Sequence, residues 1–278
     1  MTSSGVSELT IRAGYSRRQY WRDLWSYREL FYFLAWRDIL VRYKQTAIGI
    51  AWALLRPFLT MVVLTIVFGN IAKLPSEGGA PYPILVFSGM LPWQFFANSL
   101  TGASNSLISN ANLISKVYFP RLIVPTSAVI VSFVDFLVSA IILLGLMAWY
   151  NFVPSWHILT LPIFVAIAFA ASMGAGLWLA TLNVQYRDFR YIVPFIVQFG
   201  LYISPVGFSS SVVSEQWRWL YSLNPMVGVI DGFRWAILGG DTPMHWLGFG
   251  GSTALVMVIL ALSIRYFRAY ERTFADVI

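Results

Sequence analysis

Few residues of this chain could make or break a bond. Asp135 stands alone in a long apolar stretch. A carboxylate there can relay protons, but no His or Lys shares the stretch, so pairing with a neighbouring helix or with the interface is the favoured role. Arg187, Asp188 and Arg190 form the nearest approach to an acid–base cluster, and they lack a second acid. The two histidines, His157 and His245, fall in loops, and there is no cysteine. Thiolate metal sites and disulfides are therefore excluded, and no metal centre is expected. The phosphate loop Gly-x-x-x-x-Gly-Lys-Ser/Thr is missing, so ATP is not bound by that route. His-Glu-x-x-His and the Gly-x-Ser-x-Gly nucleophile elbow are missing as well. The chemistry left is recognition, by charged and aromatic groups set in or beside apolar helices. The chain reads as a conduit that needs an outside energy source.

The elements that must position these groups are apolar and long. Of 278 residues, 58% are hydrophobic and 11% charged, against about 25% charged in an ordinary soluble domain. A membrane helix needs about 20 apolar residues in a row. That rule predicts an all-α integral membrane protein with six spans, near residues 48–72, 84–108, 122–149, 159–183, 191–210 and 246–266. The fifth span is interrupted by Pro194, Gln198, Gly200 and Pro205. The first forty residues carry many charges and no short apolar core before a cleavage site, which is unlike a signal peptide.

Charge orients the spans. Sixteen of the 19 Lys and Arg residues fall on one side, and only Lys73, Arg218 and Arg234 on the other. The positive-inside rule then puts both termini in the cytoplasm. The cations are spread along the membrane boundary, so no nucleic-acid partner is expected.

Residues 1–26 read as a loose cytoplasmic tail, 27–46 as an amphipathic helix in the interface, and 47–278 as the six-span domain. Tyr32, Phe33, Trp36, Ile39, Leu40 and Tyr43 share one face of the interfacial helix, with Arg37, Asp38, Arg42 and Lys44 beside it. Arg56 lies about two turns inside the first span, where it either snorkels to headgroups or lines a polar cavity. Pro92 should kink or break the second span, and a re-entrant segment there is an alternative to a full crossing. The polar run 98–106 must face helices or water. Ala166, Ala170 and Gly174 form a small-residue seam on the fourth span. Residues 211–245 suit two short re-entrant helices at the external interface, the second starting near Pro225. No internal repeat is visible.

The run Asn110-Ala111-Asn112-Leu113-Ile114-Ser115-Lys116-Val117-Tyr118-Phe119-Pro120-Arg121 resembles the cytoplasmic loop of type-2 ABC permeases that export polysaccharides. Three more segments resemble the same family in the same order: Leu91 to Asn98, Asn183 to Pro194, and Leu223 to Arg234. The resemblance covers the chain from about residue 27 onward, and O-antigen, capsule and teichoic-acid permeases are its nearest groups.

Several expectations follow from that resemblance. The permease is a homodimer in the bacterial cytoplasmic (inner) membrane, working with two copies of a separate ATPase that binds ATP and Mg. Its substrate is a lipid-linked polysaccharide, O-antigen above all, and its chain has no catalytic site of its own. Asn112, Leu113, Lys116, Val117, Tyr118, Phe119 and Arg121 form a coupling helix against the ATPase, with Leu113, Val117, Tyr118 and Phe119 as apolar anchor. Arg187, Asp188 and Arg190 form a second contact. Trp52, Arg56, Phe58, Trp93, Phe95, Phe96 and Tyr202 line the polymer path. In the external segment, read from the residues themselves, Trp217, Trp219, Asn224, Pro225, Phe233 and Arg234 cap an external opening. The alternative is that its aromatics only anchor the short helices at headgroup depth.

Three other readings compete. A teichoic-acid or small-molecule exporter keeps the architecture and changes the cargo. A membrane acyl- or glycosyltransferase would lose activity on changing Asp188 or Asp231. A scaffold for a polymer synthase would not depend on ATP.

Overall fold

The computed structural model describes residues 17–44, 50–239, 242 and 244–277, and all regular structure among them is helical. An apolar stretch away from water must pair its own backbone N–H and C=O groups, and a helix does so internally. The helices are α1 (Arg17–Ser26), α2 (Arg28–Lys44), α3 (Ile50–Leu64), α4 (Tyr82–Ser109), α5 (Ala111–Lys116), α6 (Ile123–Trp149), α7 (Leu161–Gln185), α8 (Phe189–Ile203), α9 (Glu215–Tyr221), α10 (Pro225–Leu238), α11 (Trp246–Tyr270) and α12 (Phe274–Val277). A π-helical turn, Thr65–Ile71, extends α3.

Among the described residues, four helical segments are long and apolar enough to cross a membrane: Leu54–Ile71, Ile123–Trp149, Trp156–Gln185 and Trp246–Thr273. α4 is as long, at 28 residues, but its second half is rich in Ser, Thr and Asn. α8 is apolar and has only 15 residues.

α4 is the central element and packs along α6, α7 and α10. Every residue from Ile84 to Trp93 is buried, as befits a helix that is apolar all round. Pro92 lies inside this stretch and α4 runs on through it unbroken. Of the kink or break expected at Pro92, the break is absent, because neighbouring helices hold a buried proline-bearing helix together. Of the small-residue seam of α7, Gly174 meets α11, where a Cβ would stand 3.1 Å from the Leu260 Cα, while Ala166 is exposed.

Two other expectations are corrected. α1 makes residues 17–26 a helix rather than a loose tail. It is pinned by the Arg268 guanidinium, 4.3 Å from the centre of the Tyr20 ring. The fifth apolar helix ends at Ile203, not near 210. Ser204 precedes Pro205 and is extended, since the proline ring disfavours helical geometry in the residue before it. Residues 1–16 and 45–49, parts of the expected tail, interfacial helix and first span, lie outside the described residues.

Candidate functional site

A cavity of about 1210 Å³ opens between α2, α3, α4, α6 and α8. Each helix turns one periodic stripe toward it. From α3 come Trp52, Arg56 and Thr60, four residues apart and so on one face. α4 supplies Trp93, Gln94, Ala97, Asn98, Thr101 and Gly102. α6 contributes Ala128, Ser132, Asp135 and Ser139, again at helical spacing, and α8 contributes Pro194, Gln198 and Leu201. Small residues at 97, 102 and 128 leave the room. Trp93 is buried and stands against α8 where Gly200 has no side chain; a Cβ there would come within 2.5 Å of the indole.

The end of the cavity nearest α2 is closed by paired charges. Asp135 accepts from the Arg42 guanidinium and from the Tyr43 hydroxyl. The lone acid of α6 is thus an anchor for α2, as the pairing role required. Burial, reinforced by the Asp135 hydrogen bond, pushes the Tyr43 phenol above its ordinary value, which keeps it a donor. Arg37 donates to Asp38 at 2.8 Å and to the Asn110 side-chain carbonyl at 2.9 Å. α2 is therefore tied both to α6 and to the α4–α5 junction. The aromatic residues Tyr32, Phe33 and Trp36 face outward.

Residues 110–121 divide into two faces. Asn112, Lys116, Val117 and Tyr118 are exposed, and Leu113 is half-buried. Ile114 and Phe119 are buried. Phe119 is therefore corrected from a docking anchor to a core residue on the chain's own side. Arg121 is turned inward too: its backbone N–H donates to the Glu271 carboxylate at 2.6 Å, and its guanidinium donates to the Glu271 carbonyl. α5 also packs on α12. Arg187, Asp188 and Arg190 are exposed in and just after the turn between α7 and α8. The ends of α4 and α7 are joined where the Asn183 amide donates to the Ser104 carbonyl at 2.8 Å and to the Asn105 side chain at 3.1 Å. Both turns thus sit at one end of the molecule.

Of the residues expected on a polymer path, the cavity gathers Trp52, Arg56 and Trp93. Phe58 and Tyr202 lie outside it, on exposed faces of α3 and α8. Phe96 packs beside Trp93, with ring centres 5.8 Å apart. Phe95 is moved to the core, where it meets Phe133, Phe136 and Phe169. An apolar ring on the far side of α4 from the cavity stripe is drawn into the packing between helices.

At the opposite end, Trp217 and Trp219 are exposed on α9. Asn224 caps α10, accepting from the Met226 N–H at 3.0 Å, and Pro225 takes the first position of the helix. Phe233 and Arg234 are corrected from an opening to the interior, at 0% and 1% exposure. The Arg234 guanidinium donates to the carbonyls of Phe208 at 2.7 Å, Val206 at 3.0 Å and Leu85 at 3.3 Å. It clasps α10 to α4 and to the turn after α8. Glu77, in the loop before α4, is held above the ordinary carboxylate range by burial, with Arg234 opposing that shift.

The paired roles of Arg37, Arg42, Asn110 and Glu271 were not foreseen. A signal was available for Arg42 alone, since the lone membrane acid Asp135 needs a cation.

A model of the family described as ABC-2 type transporter matches residues 29–238. The chain is 29% identical over 215 residues to the O-antigen export system permease protein RfbA of Myxococcus xanthus, covering 77% of this chain and 82% of that one. It is 26% identical over 246 residues to an O-antigen export system permease protein RfbA of Klebsiella pneumoniae, covering 87% and 92%. It is 24% identical over 210 residues to the polysialic acid transport protein KpsM of Escherichia coli, covering 73% and 79%.

Proposed function

Because this chain belongs to the ABC-2 type transporter family, we propose that it is the membrane-spanning permease subunit of an ATP-driven exporter of lipid-linked polysaccharide, with O-antigen as the favoured cargo. The observation that carries the reading is the polar cavity itself. A volume of about 1210 Å³ exceeds the usual small-molecule site of about 300–1,000 Å³. Its walls combine indoles with amides and hydroxyls, which suits sugars. The names of the relatives favour the same cargo. A teichoic-acid or small-molecule exporter would use the same frame.

In this reading α3 with its π-helical turn, α4, α6, α7, α8 and α11 are the six spans, and α2 lies in the interface. α9 and α10 dip into the membrane from outside, and the cation-rich end with both termini faces the cytoplasm. Two copies pair, and the polymer passes between them along the faces bearing Trp52, Phe58 and Tyr202. A separate ATPase, two copies per dimer, binds ATP and Mg. It docks on Asn112, Leu113, Lys116, Val117 and Tyr118, with Arg187, Asp188 and Arg190 as a second contact. Arg121 and Phe119 position that docking face from behind. Trp217 and Trp219 remain candidates for an external cap, and Arg234 is the clasp beneath it.

The test is a mild-detergent purification of the chain from its native membrane. A stoichiometric soluble ATPase carrying a phosphate loop is the expected companion. A chain that emerges alone, where other ABC complexes survive, would sink the reading and favour the enzyme alternative.

A further inference from the structure

Resting on the exporter reading, we propose that Arg56, with the side-chain amides of Gln94, Asn98 and Gln198, forms a binding site for the phosphate of an amphiphile: the phosphate or diphosphate group that joins a lipid to the first sugar.

The charge count of the cavity singles out Arg56. Three arginines and two carboxylates line it. Arg37 is taken by Asp38 and Asn110, and Arg42 by Asp135. The guanidinium of Arg56 has no partner among the described residues. It nevertheless sits within α3, at the edge of the apolar segment Leu54–Ile71. Arg56 is exposed and lines the polar cavity, so its guanidinium is a cation with no carboxylate partner among the described residues and is open to an anion.

The surrounding groups fit an oxyanion. The side chains of Gln94, Asn98 and Gln198 come from two helices and line the same cavity, and none has a hydrogen-bond partner among the described residues. Each amide offers N–H donors, and a guanidinium meets phosphate oxygens with two parallel bonds. The charged groups nearest α2 are paired with one another, and the amides of Gln94, Asn98 and Gln198 are free donors lining the same cavity as Arg56. Trp52 lies one turn before Arg56 on the same face of α3, and Trp93 lies across from it on α4. Indole faces offer a sugar next to the phosphate an apolar contact with little directional demand. The apolar flank of α3, with Leu55, Phe58 and Leu59 exposed, offers a lipid tail a route along the outside of the same helix.

Two amphiphiles carry this chemistry, a polyprenyl diphosphate and an ordinary phospholipid. The full permease–ATPase complex in lipid nanodiscs can be titrated with a long-chain polyprenyl diphosphate, with phosphatidylglycerol and with the phosphate-free polyprenol, using native mass spectrometry. Loss of a charged hydrogen-bonded contact should weaken binding about tenfold or more. Arg56→Gln is expected to lose that much affinity for the diphosphate, Arg56→Lys to keep part of it, and Gln198→Leu on the opposite helix to show a smaller loss. Loss confined to the diphosphate identifies the carrier of the sugar chain as the ligand. Equal loss for phosphatidylglycerol identifies a membrane headgroup at the same site. Wild-type affinity for both in Arg56→Gln overturns the proposal, as does polyprenol bound as tightly as its diphosphate. If Arg56→Gln disturbs assembly, Gln198→Leu and Asn98→Leu carry the test, and unchanged binding in both overturns it. Should the wild-type complex export polymer while the variants bind normally, the site fails and the exporter reading stands. Should the chain have no ATPase partner, that reading fails, and titration of the isolated chain still decides the phosphate site.

Discussion

Arg234 shows how one side chain can hold one end of a membrane protein. Its guanidinium serves three carbonyls, and those of Val206 and Phe208 have no other donor among the described residues. A buried acceptor left without a donor costs about 1–3 kcal/mol. Arg234→Met is therefore expected to lose about 2 kcal/mol or more, with Arg234→Lys intermediate because an ammonium lacks the planar fork. Thermal unfolding followed by tryptophan fluorescence reads this, and a variant that melts with the wild type refutes the clasp. The charge of Arg234 was legible in the sequence, whereas its burial was not. Its acceptors lie 26, 28 and 149 residues away, and no local pattern points to them. Asp135 is the opposite case. A lone acid in an apolar helix needs a partner, so the sequence announced the need and left only Arg42 and Tyr43 to be found.

Helices whose apolar runs are long were legible nearly to their ends, because hydropathy and length are local properties. α6, expected over 122–149, runs Ile123–Trp149. α5 and its flanks were legible as a polar punctuation between two spans, but not in their two-faced nature. Which of its residues turn inward depends on α12, which packs on α5, and on Glu271, which lies 150 residues from Arg121. This division separates two kinds of substitution. Val117→Ala with Tyr118→Ala, on the exposed face, should weaken ATPase association and export while leaving the melting temperature within a few degrees. Phe119→Ala should instead lower stability by about 3–5 kcal/mol, the usual cost of emptying a buried phenylalanine site. Co-purification of the ATPase beside a melting curve decides between them. If the double variant retains full association, residues 117 and 118 are not the docking face.

At the scale of the whole molecule, the pairing of two copies proposed above would use the exposed faces of α3 and α8. Phe195, Phe199 and Tyr202 are all exposed along α8. The native chain has no cysteine, so single cysteines can be introduced without background. Phe199→Cys and Tyr202→Cys are expected to cross-link between copies in native membranes, while Leu144→Cys, exposed on α6, is expected to stay monomeric. Cross-linking at 144 alone would move the interface to α6.

The shortness of α8 carries a consequence for the lipid around it. Its 15 residues reach about 22 Å, while a hydrocarbon core is about 30 Å thick. A helix that falls short is met by a thinner bilayer or by other protein filling the gap. The turn after Ile203, clasped by Arg234, and the helices α9 and α10 stand where that gap would open. On the path proposed above, a sugar chain moving beside α8 would cross a barrier thinner than the surrounding bilayer, with the short helices beyond it making up the missing depth.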